Sequence, residues 1–121
     1  MKRILVVEDN EINMYLIRFI LTKNGYEVLE AESGEKGVEL AIKEKPDLII
    51  MDIQLPGIDG HETTKRIRAS EAEGAVPIVA LTSYAMAGDR DKSLSAGCTG
   101  YIEKPINPET FMAEIEKYLS C

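Results

Sequence analysis

The stretch "KPDLIIMDIQLPGIDG", residues 45–60, decides the fold because an unbroken apolar run, Leu48–Met51, ends directly on Asp52. A continuous apolar run of about four to eight residues is typical of a strand in a parallel sheet covered on both faces. The end of such a strand lies where the sheet meets water, and open α/β sheets bind their ligands at that edge. Asp52 is therefore predicted to lie in a ligand site at the carboxyl edge of a parallel sheet.

Length and charge limit the classes of function. The 121 residues are predicted to form one domain, 1–121, and the net charge of -7 is spread along the chain. This charge argues against binding to nucleic acid or to an anionic membrane. No apolar run approaches the roughly 18 residues of a spanning helix, and no signal peptide is evident, so a cytoplasmic protein is expected. The two cysteines, Cys98 and Cys121, lack metal-ligand spacing and are expected to be free thiols.

Five short strand-like runs alternate with five segments of helical spacing. Parallel strands joined in this way need right-handed crossovers, which place helices on both faces of the sheet. The fold is therefore predicted to be a three-layer α/β sandwich, with the first and third strands at its centre because they are the most apolar. The predicted strands are Arg3–Val7, Tyr26–Glu30, Asp47–Met51, Pro77–Leu81 and Gly100–Glu103.

Caps and apolar spacing predict the helices. The first stops at Gly25, the second begins after a Ser33 cap, and the fifth begins after an Asn107 cap. The third and fourth, about 58–70 and 85–96, are polar, and the thinly packed fourth helix is expected to be mobile or partnered. The residues predicted to face the core are Ile12, Leu16, Phe19 and Ile20 in the first helix, Val38, Ala41 and Ile42 in the second, and Phe111, Met112, Ile115 and Leu119 in the fifth.

Polar residues follow four of the five predicted strands. Glu8 and Asp9 follow the first, Asp52 the third, Thr82 the fourth and Lys104 the fifth. The three acids repel one another, and oxygen ligands at this density suit a hard cation such as Mg²⁺. With the lysine, the pocket carries a charge of about -2 when all groups are ionised, which one divalent ion would neutralise. Each residue alone is typical of a cap or a solvated turn, but four polar strand ends together indicate a site.

The segments "VVEDN", "DLIIMDIQLPGIDG", "PIVALTS" and "GYIEKPI" resemble, in order and over the whole chain, the receiver domain of bacterial response regulators. The "EDNEIN" and "AMAGD" segments are most similar to single-domain cell-cycle regulators and to receiver modules of hybrid histidine kinases. The resemblance implies a flavodoxin-like fold with five parallel strands in order 2-1-3-4-5 and five helices. It also implies a phosphoprotein of a two-component or phosphorelay system, a signalling receiver rather than an enzyme in the ordinary sense.

The resemblance also implies roles for particular residues and partners. The phosphoryl donor would be phosphohistidine on a histidine kinase or a histidine phosphotransfer protein. A downstream protein would bind the fourth helix, fifth strand and fifth helix, with the receiver a monomer or a phosphorylation-dependent dimer. Implied roles are Asp52 as phosphoacceptor, Glu8, Asp9, Asp52 and the backbone carbonyl of Gln54 as Mg²⁺ ligands, Lys104 as phosphoryl contact through a cis Lys104–Pro105 bond, and Thr82 with Tyr101 as the switch.

Alternative functions and local departures stay open at this point. An aspartyl phosphohydrolase would carry a second acid at the position of Gln54. A nucleotide or flavin module would need a glycine-rich phosphate-binding loop directly after a strand, which Gly57-x-x-Gly60 does not provide. A degenerate receiver would serve only as a binding module. The chain reads as a freestanding protein, with an excised module of a hybrid kinase as the alternative. Three further expectations concern Ser83, which is small enough to admit a phosphoryl group, Tyr84, which would lengthen its lifetime, and His61, which is expected at an exposed polar position.

Overall fold

The computed structural model of the protein describes the chain in four segments, with only the backbone described within 87–90. The segments are 2–55, 57–70, 76–82 and 87–119. The expectations for Ser83, Tyr84 and Cys121 lie outside these residues, as does the predicted start of the fourth helix at residue 85.

The described chain alternates strand and helix as predicted. The five strands pair in parallel in the order β2-β1-β3-β4-β5, which is the flavodoxin-like order. Strands β2, β3 and β4 each lie one residue further along the chain than predicted, so Asp52 and Thr82 are the last residues of their strands. The elements are β1 Arg3–Val7, α1 Glu11–Lys23, β2 Glu27–Ala31, α2 Gly34–Glu44, β3 Leu48–Asp52, α3 Gly60–Ser70, β4 Ile78–Thr82, α4 Ala87–Ala96, β5 Gly100–Glu103 and α5 Pro108–Leu119.

Each face of the sheet has its own apolar cluster, so the three-layer prediction is confirmed. Successive strand residues point to opposite faces, which divides β1 and β3 between the two clusters. Every residue of β3 and every residue of β1 after Arg3 is buried, as expected for the centre of the sheet. One cluster joins the sheet to α1 and α5 through Ile4, Val6, Ile50, Ile17, Leu21, Phe111 and Ile115, and the other joins it to α2 and α3 through Leu5, Val7, Ile49, Met51, Val38 and Ile67.

The predicted core face of α1 is wrong at two of its four positions. Ile12 is 78% exposed and Phe19 is 54% exposed. Helix α1 carries two apolar stripes at helical spacing, and apolar spacing alone does not determine which one meets the sheet. The stripe that packs on the sheet contains Met14, Ile17, Ile20 and Leu21, while Ile12, Tyr15 and Phe19 form an exposed stripe.

Helix α2 makes its closest approach to the sheet at a glycine, Gly37, and its apolar side chains Val38 and Leu40 are only partly buried against the cluster. A Cβ on Gly37 would lie 2.9 Å from Cγ2 of Val7, so only glycine allows this close approach without a shift. Ile42, which was predicted to face the core, is 51% exposed. Val38 and Ala41 are half-buried on the predicted side.

The polar helix α3 packs by burying threonines. Thr63 and Thr64 are both fully buried, and each hydroxyl donates to a backbone carbonyl four residues earlier, at 2.7 Å and 2.8 Å. A buried hydroxyl costs little when it is hydrogen-bonded, and threonine then fills space as an apolar residue would. This explains how a helix with Ile67 as its large buried apolar residue is held against the sheet.

The predicted caps are present. Ser33 Oγ accepts a hydrogen bond from the backbone N–H of Lys36 at 3.2 Å, and Asn107 Oδ1 accepts one from Glu109 at 2.9 Å. Lys45 ends α2 in the left-handed conformation, φ 48°. Among the described residues, no helix is both long and apolar enough to cross a membrane.

Candidate functional site

Three carboxylates meet at the carboxyl edge of the sheet. Glu8 follows β1 and Asp52 ends β3, and the parallel register of Val7 with Met51 places these strand ends side by side. One carboxylate oxygen from each of Glu8, Asp9 and Asp52 lies within 4.8 Å of the other two. Glu8 is 1% exposed and Asp52 is 2% exposed, while Asp9 is exposed. The structure thus brings together the acids that the strand ends predicted.

Lys104 reaches this cluster from the end of β5. Its Nζ lies 3.1 Å from Asp52 Oδ1 and 3.3 Å from Glu8 Oε1. Its backbone N–H donates to the Thr82 carbonyl at 2.7 Å, and the Lys104–Pro105 bond is cis, as expected. Burial alone would lower the pKa of Lys104, but the adjacent Asp52 and Glu8 carboxylates outweigh it and raise the pKa above its ordinary value. The lysine is therefore a fixed positive charge in the pocket.

The pKa of Glu8 is raised far above its ordinary value. Burial first, then the hydrogen bond and the negative charge of Asp52, raise its pKa from the ordinary 4.5 to about 7, while Lys104 and the Asn10 backbone N–H oppose the shift. Among the described residues, Glu8 Oε1 is a buried side-chain oxygen that accepts no hydrogen bond, although the Lys104 ammonium lies near it. A buried oxygen of this kind is costly unless a cation or a proton approaches it. The three carboxylates, with Glu8 Oε1 among their oxygens, are a donor set that fits a hard divalent cation.

Gly60 supports the backbone behind Asp52, and sequence reasoning missed this role. Its N–H donates to the Ile53 carbonyl at 3.0 Å, and a Cβ there would lie 2.3 Å from the Asp52 carbonyl oxygen. The side-chain Oδ1 of Asp52 accepts from the Gln54 N–H at 3.0 Å. The first residue of α3 is therefore packed directly against the turn that carries Asp52, Ile53 and Gln54. The glycine was visible in the sequence, but only the fold shows which backbone it must approach.

Thr82 and Tyr101 lie on the same face of neighbouring strands. Thr82 ends β4 with its side chain 2% exposed, one residue beyond Leu81, which pairs with Asp52. Tyr101 pairs with Ala80 on β4 and is half-buried against the apolar cluster on the α2 and α3 face. Strand alternation places residues 80 and 82 on one face, so the tyrosine is the diagonal neighbour of Thr82.

The expectation for His61 is wrong. The histidine is half-buried rather than exposed, and its Nε2 lies within hydrogen-bond distance of Ser93 Oγ on α4, at 2.9 Å. It lies on α3, outside the carboxylate cluster. Nothing in the sequence pairs these two residues, because the contact depends on how α3 and α4 pack.

A groove leads away from the carboxylates along α1. Its volume is about 340 Å³, and it runs from Glu8 and Asp9 past Tyr15 and Arg18 to the acidic end of β2. The exposed stripe of α1 adjoins it, because Tyr15 and Arg18 also line a second, mostly apolar hollow with Phe19. The pocket mouth is thus continuous with an exposed apolar helix face.

The chain is similar to known single-domain regulators over nearly its whole length. It is 42% identical over 118 residues to the polar-differentiation response regulator DivK of Brucella ovis, an alignment that covers 98% of this chain and 96% of that protein. It is 41% identical over the same length to DivK of Brucella anthropi.

The chain is also similar, over nearly its whole length, to solved structures of receiver domains and chemotaxis regulators. The receiver domain of the sensor histidine kinase PA1611 from Pseudomonas aeruginosa, which has a magnesium ion coordinated in its active site cleft, is 37% identical with a TM-score of 0.91, covering 99% of this chain and 98% of that one. The chemotaxis protein CheY4 of Vibrio cholerae is 30% identical with a TM-score of 0.92, covering 98% of each chain. The family model of the response regulator receiver domain matches residues 4–116. The strand order and the acid cluster agree with this match. The chain therefore belongs to the response regulator receiver family, the signalling domains of two-component systems.

Proposed function

We propose that Asp52 accepts a phosphoryl group from phosphohistidine on a histidine kinase or a histidine phosphotransfer protein. The observation that carries this proposal is the position of the Asp52 carboxylate. It lies at the sheet edge, 2% exposed, 3.1 Å from the Lys104 ammonium and within a cluster of three acids. Phosphoryl transfer asks a protein mainly to position the acceptor and to neutralise charge on the transferred group. The pocket supplies both.

In the transfer step, an Asp52 carboxylate oxygen attacks the phosphorus as the phosphorus–nitrogen bond of phosphohistidine breaks. The imidazole nitrogen leaves with the electron pair of that bond, and Asp52 becomes an acyl phosphate. Because Oδ1 already accepts from Gln54 N–H and faces Lys104, we assign the attack to Oδ2. Lys104 then contacts the equatorial oxygens. Its raised pKa keeps it protonated for that contact.

We assign the Mg²⁺ site to Glu8, Asp9, Asp52 and the backbone carbonyl of Gln54. The buried Glu8 Oε1, which has no hydrogen bond among the described residues and only an ion-pair distance of 3.3 Å to the Lys104 ammonium, supports this assignment, as does the oxygen-only character of the cluster. The magnesium in the similar receiver domain of PA1611 adds to that support. When bound, the ion would neutralise the acids and draw negative charge from the phosphoryl oxygens.

The signalling consequence is assigned to Thr82 and Tyr101. Reversing a 1:99 equilibrium takes about 5.5 kcal/mol, and a hydrogen bond to a charged group contributes about 1.5–3 kcal/mol. Two or three new bonds to a phosphoryl group are therefore enough, and the hydroxyl of the buried Thr82 would donate one of them. Tyr101, its diagonal neighbour, would move into the space that Thr82 leaves. The downstream partner would bind α4, β5 and α5.

The phosphodonor is proposed to dock on the other side of the pocket, along α1. A donor that presents phosphohistidine to Asp52 must cover the surface beside the pocket mouth. The groove there is continuous with the exposed stripe of Ile12, Tyr15 and Phe19, and exposed apolar stripes of this kind mark protein interfaces. The donor would therefore present an apolar helix face with basic residues opposite the acidic groove.

The test uses acetyl phosphate and Mg²⁺ with intact-mass spectrometry. The wild type is expected to gain one phosphoryl group, which hydroxylamine removes, while Asp52→Asn gains none. Asp91→Asn, an exposed site on α4, is the matched control and should gain the group as the wild type does. A wild type that stays unmodified, or an Asp52→Asn variant that is still modified, would refute the proposal. Sustained hydrolysis of p-nitrophenyl phosphate would indicate the phosphohydrolase alternative instead.

A further inference from the structure

Helix α3 connects the phosphoacceptor turn to helix α4 through two successive residues. Gly60 touches the turn, with its N–H on the Ile53 carbonyl at 3.0 Å and its Cα too close to the Asp52 carbonyl for any Cβ. The next residue, His61, contacts Ser93 on α4 at 2.9 Å. A displacement of the turn that carries Asp52 would therefore have a route to α4 that does not include Thr82 or Tyr101.

The His61–Ser93 contact matters because little else holds the described part of α4. Side chains are described for residues 91–96 of this helix, and only Ser93 and Ala96 among them are buried. Leu94, its large apolar residue, is 42% exposed. A helix without a large buried apolar side chain in this half depends on its hydrogen bonds for position.

A second polar contact fixes the C-terminal end of α4. Arg68 Nε donates to the Gly97 carbonyl at 2.9 Å, and Gly97 has a positive φ of 112° with Arg68 Cγ packed where its Cβ would be. That end is therefore held to α3. The His61–Ser93 contact lies one turn earlier in the helix, so its loss would let the helix pivot about Gly97.

We infer that the His61–Ser93 hydrogen bond holds α4 in the arrangement in which Lys104 pairs with the unmodified Asp52 carboxylate, and that phosphorylation weakens this bond through Gly60. His61 is then a positioning residue for the output helix, not a catalytic one. The inference rests on the proposed function, since it needs Asp52 to be the phosphoacceptor. A bond shifts a two-state equilibrium only by the difference in its strength between the two states.

The experiment measures binding of beryllofluoride, a mimic of the phosphoryl group, with Mg²⁺ and amide NMR signals of residues 91–105. His61→Leu and Ser93→Ala each remove the bond, so each is expected to raise the apparent affinity about tenfold, the equilibrium effect of one ordinary buried hydrogen bond. His61→Gln keeps a donor and an acceptor and should stay within about twofold of the wild type. Ser95→Ala, at the exposed serine two residues further along α4, is the matched control and should change nothing.

The double variant His61→Leu with Ser93→Ala should gain no more than either single variant, because both remove one interaction. Unchanged or lower affinity in both single variants, with only a loss of thermal stability, would show a purely structural contact and overturn the inference. Additive effects in the double variant would also overturn it. A wild type that binds no beryllofluoride would refute the proposed function itself, and with it this inference.

Discussion

Replacing Glu8 with glutamine should raise the free energy of unfolding of the metal-free protein and reduce the further stabilisation that Mg²⁺ gives. Glu8 is 1% exposed, and its pKa is raised from 4.5 to about 7 by burial and by the hydrogen bond and charge of Asp52. The folded state therefore holds the proton more tightly than the unfolded state does. The stability contributed by this proton is complete below about pH 4.5 and is lost as the pH rises through about 7.

The magnitude follows from the size of the shift. Each pH unit between the two pKa values costs about 1.4 kcal/mol, so ionised Glu8 destabilises the metal-free protein by about 3 kcal/mol at pH 8. Glutamine has nearly the same shape and no charge. Relative to the wild type, Glu8→Gln should gain about 2–3 kcal/mol at pH 8 and less than about 1 kcal/mol at pH 5.

The assay is urea unfolding in chelator at pH 5, 6, 7 and 8, repeated with Mg²⁺. Mg²⁺ should stabilise the wild type by about 2.7 kcal/mol at a hundredfold excess over its dissociation constant, and the variant by less, because the variant lacks a carboxylate ligand. Glu27→Gln, at an exposed position on β2, is the control and should show neither effect. A gain for Glu8→Gln that does not change with pH, or an equal response to Mg²⁺, would refute the electrostatic account of the site.

Three further predictions concern the lysine, the glycine behind the phosphoacceptor and the exposed face of α1. Lys104→Met removes a positive charge that stabilises the transferred group and competes with the metal ion. It should therefore slow phosphorylation by acetyl phosphate about a hundredfold, measured by mass spectrometry, and tighten Mg²⁺ binding, measured by calorimetry. Weaker Mg²⁺ binding would contradict this. Gly60→Ala should lower the free energy of unfolding by more than about 2 kcal/mol and slow phosphorylation, because its Cβ meets the Asp52 carbonyl; wild-type values in urea unfolding and in the rate would count against the close approach. Phe19→Ser should reduce phosphotransfer from the histidine kinase that phosphorylates the chain and leave modification by acetyl phosphate unchanged; equal loss with both donors would place Phe19 in folding rather than docking.

Much of the fold and the location of the site could be predicted because polar residues directly follow the apolar runs that form the strands. A buried parallel strand must end at the sheet edge. The acids that follow Val7 and Met51 could therefore be predicted from the sequence to lie close together. Strand order was implied by family resemblance, since alternation alone does not distinguish among parallel orders. The bounds of β2, β3 and β4 shifted by one residue because each strand extends to the residue just after its predicted run, which is Ala31, Asp52 and Thr82 respectively.

The contacts between helices could not be predicted, for physical reasons that particular residues show. Both stripes of α1 satisfy helical spacing, so the exposure of Ile12 and Phe19 depends on how the helix is docked. Burial of Thr63 depends on a hydrogen bond to the Asp59 carbonyl, which hydropathy does not record. His61 finds Ser93 only because α3 and α4 are adjacent across the sheet face.

The most direct test of the central claim locates the modified residue. After treatment with acetyl phosphate and Mg²⁺, borohydride reduces an acyl phosphate on aspartate to homoserine, and peptide mapping finds its position. The account predicts homoserine at position 52 and at none of the other acids of the pocket. Reduction at Asp9 or at Glu8, or an unreduced Asp52 in protein that carries a phosphoryl group, would contradict it.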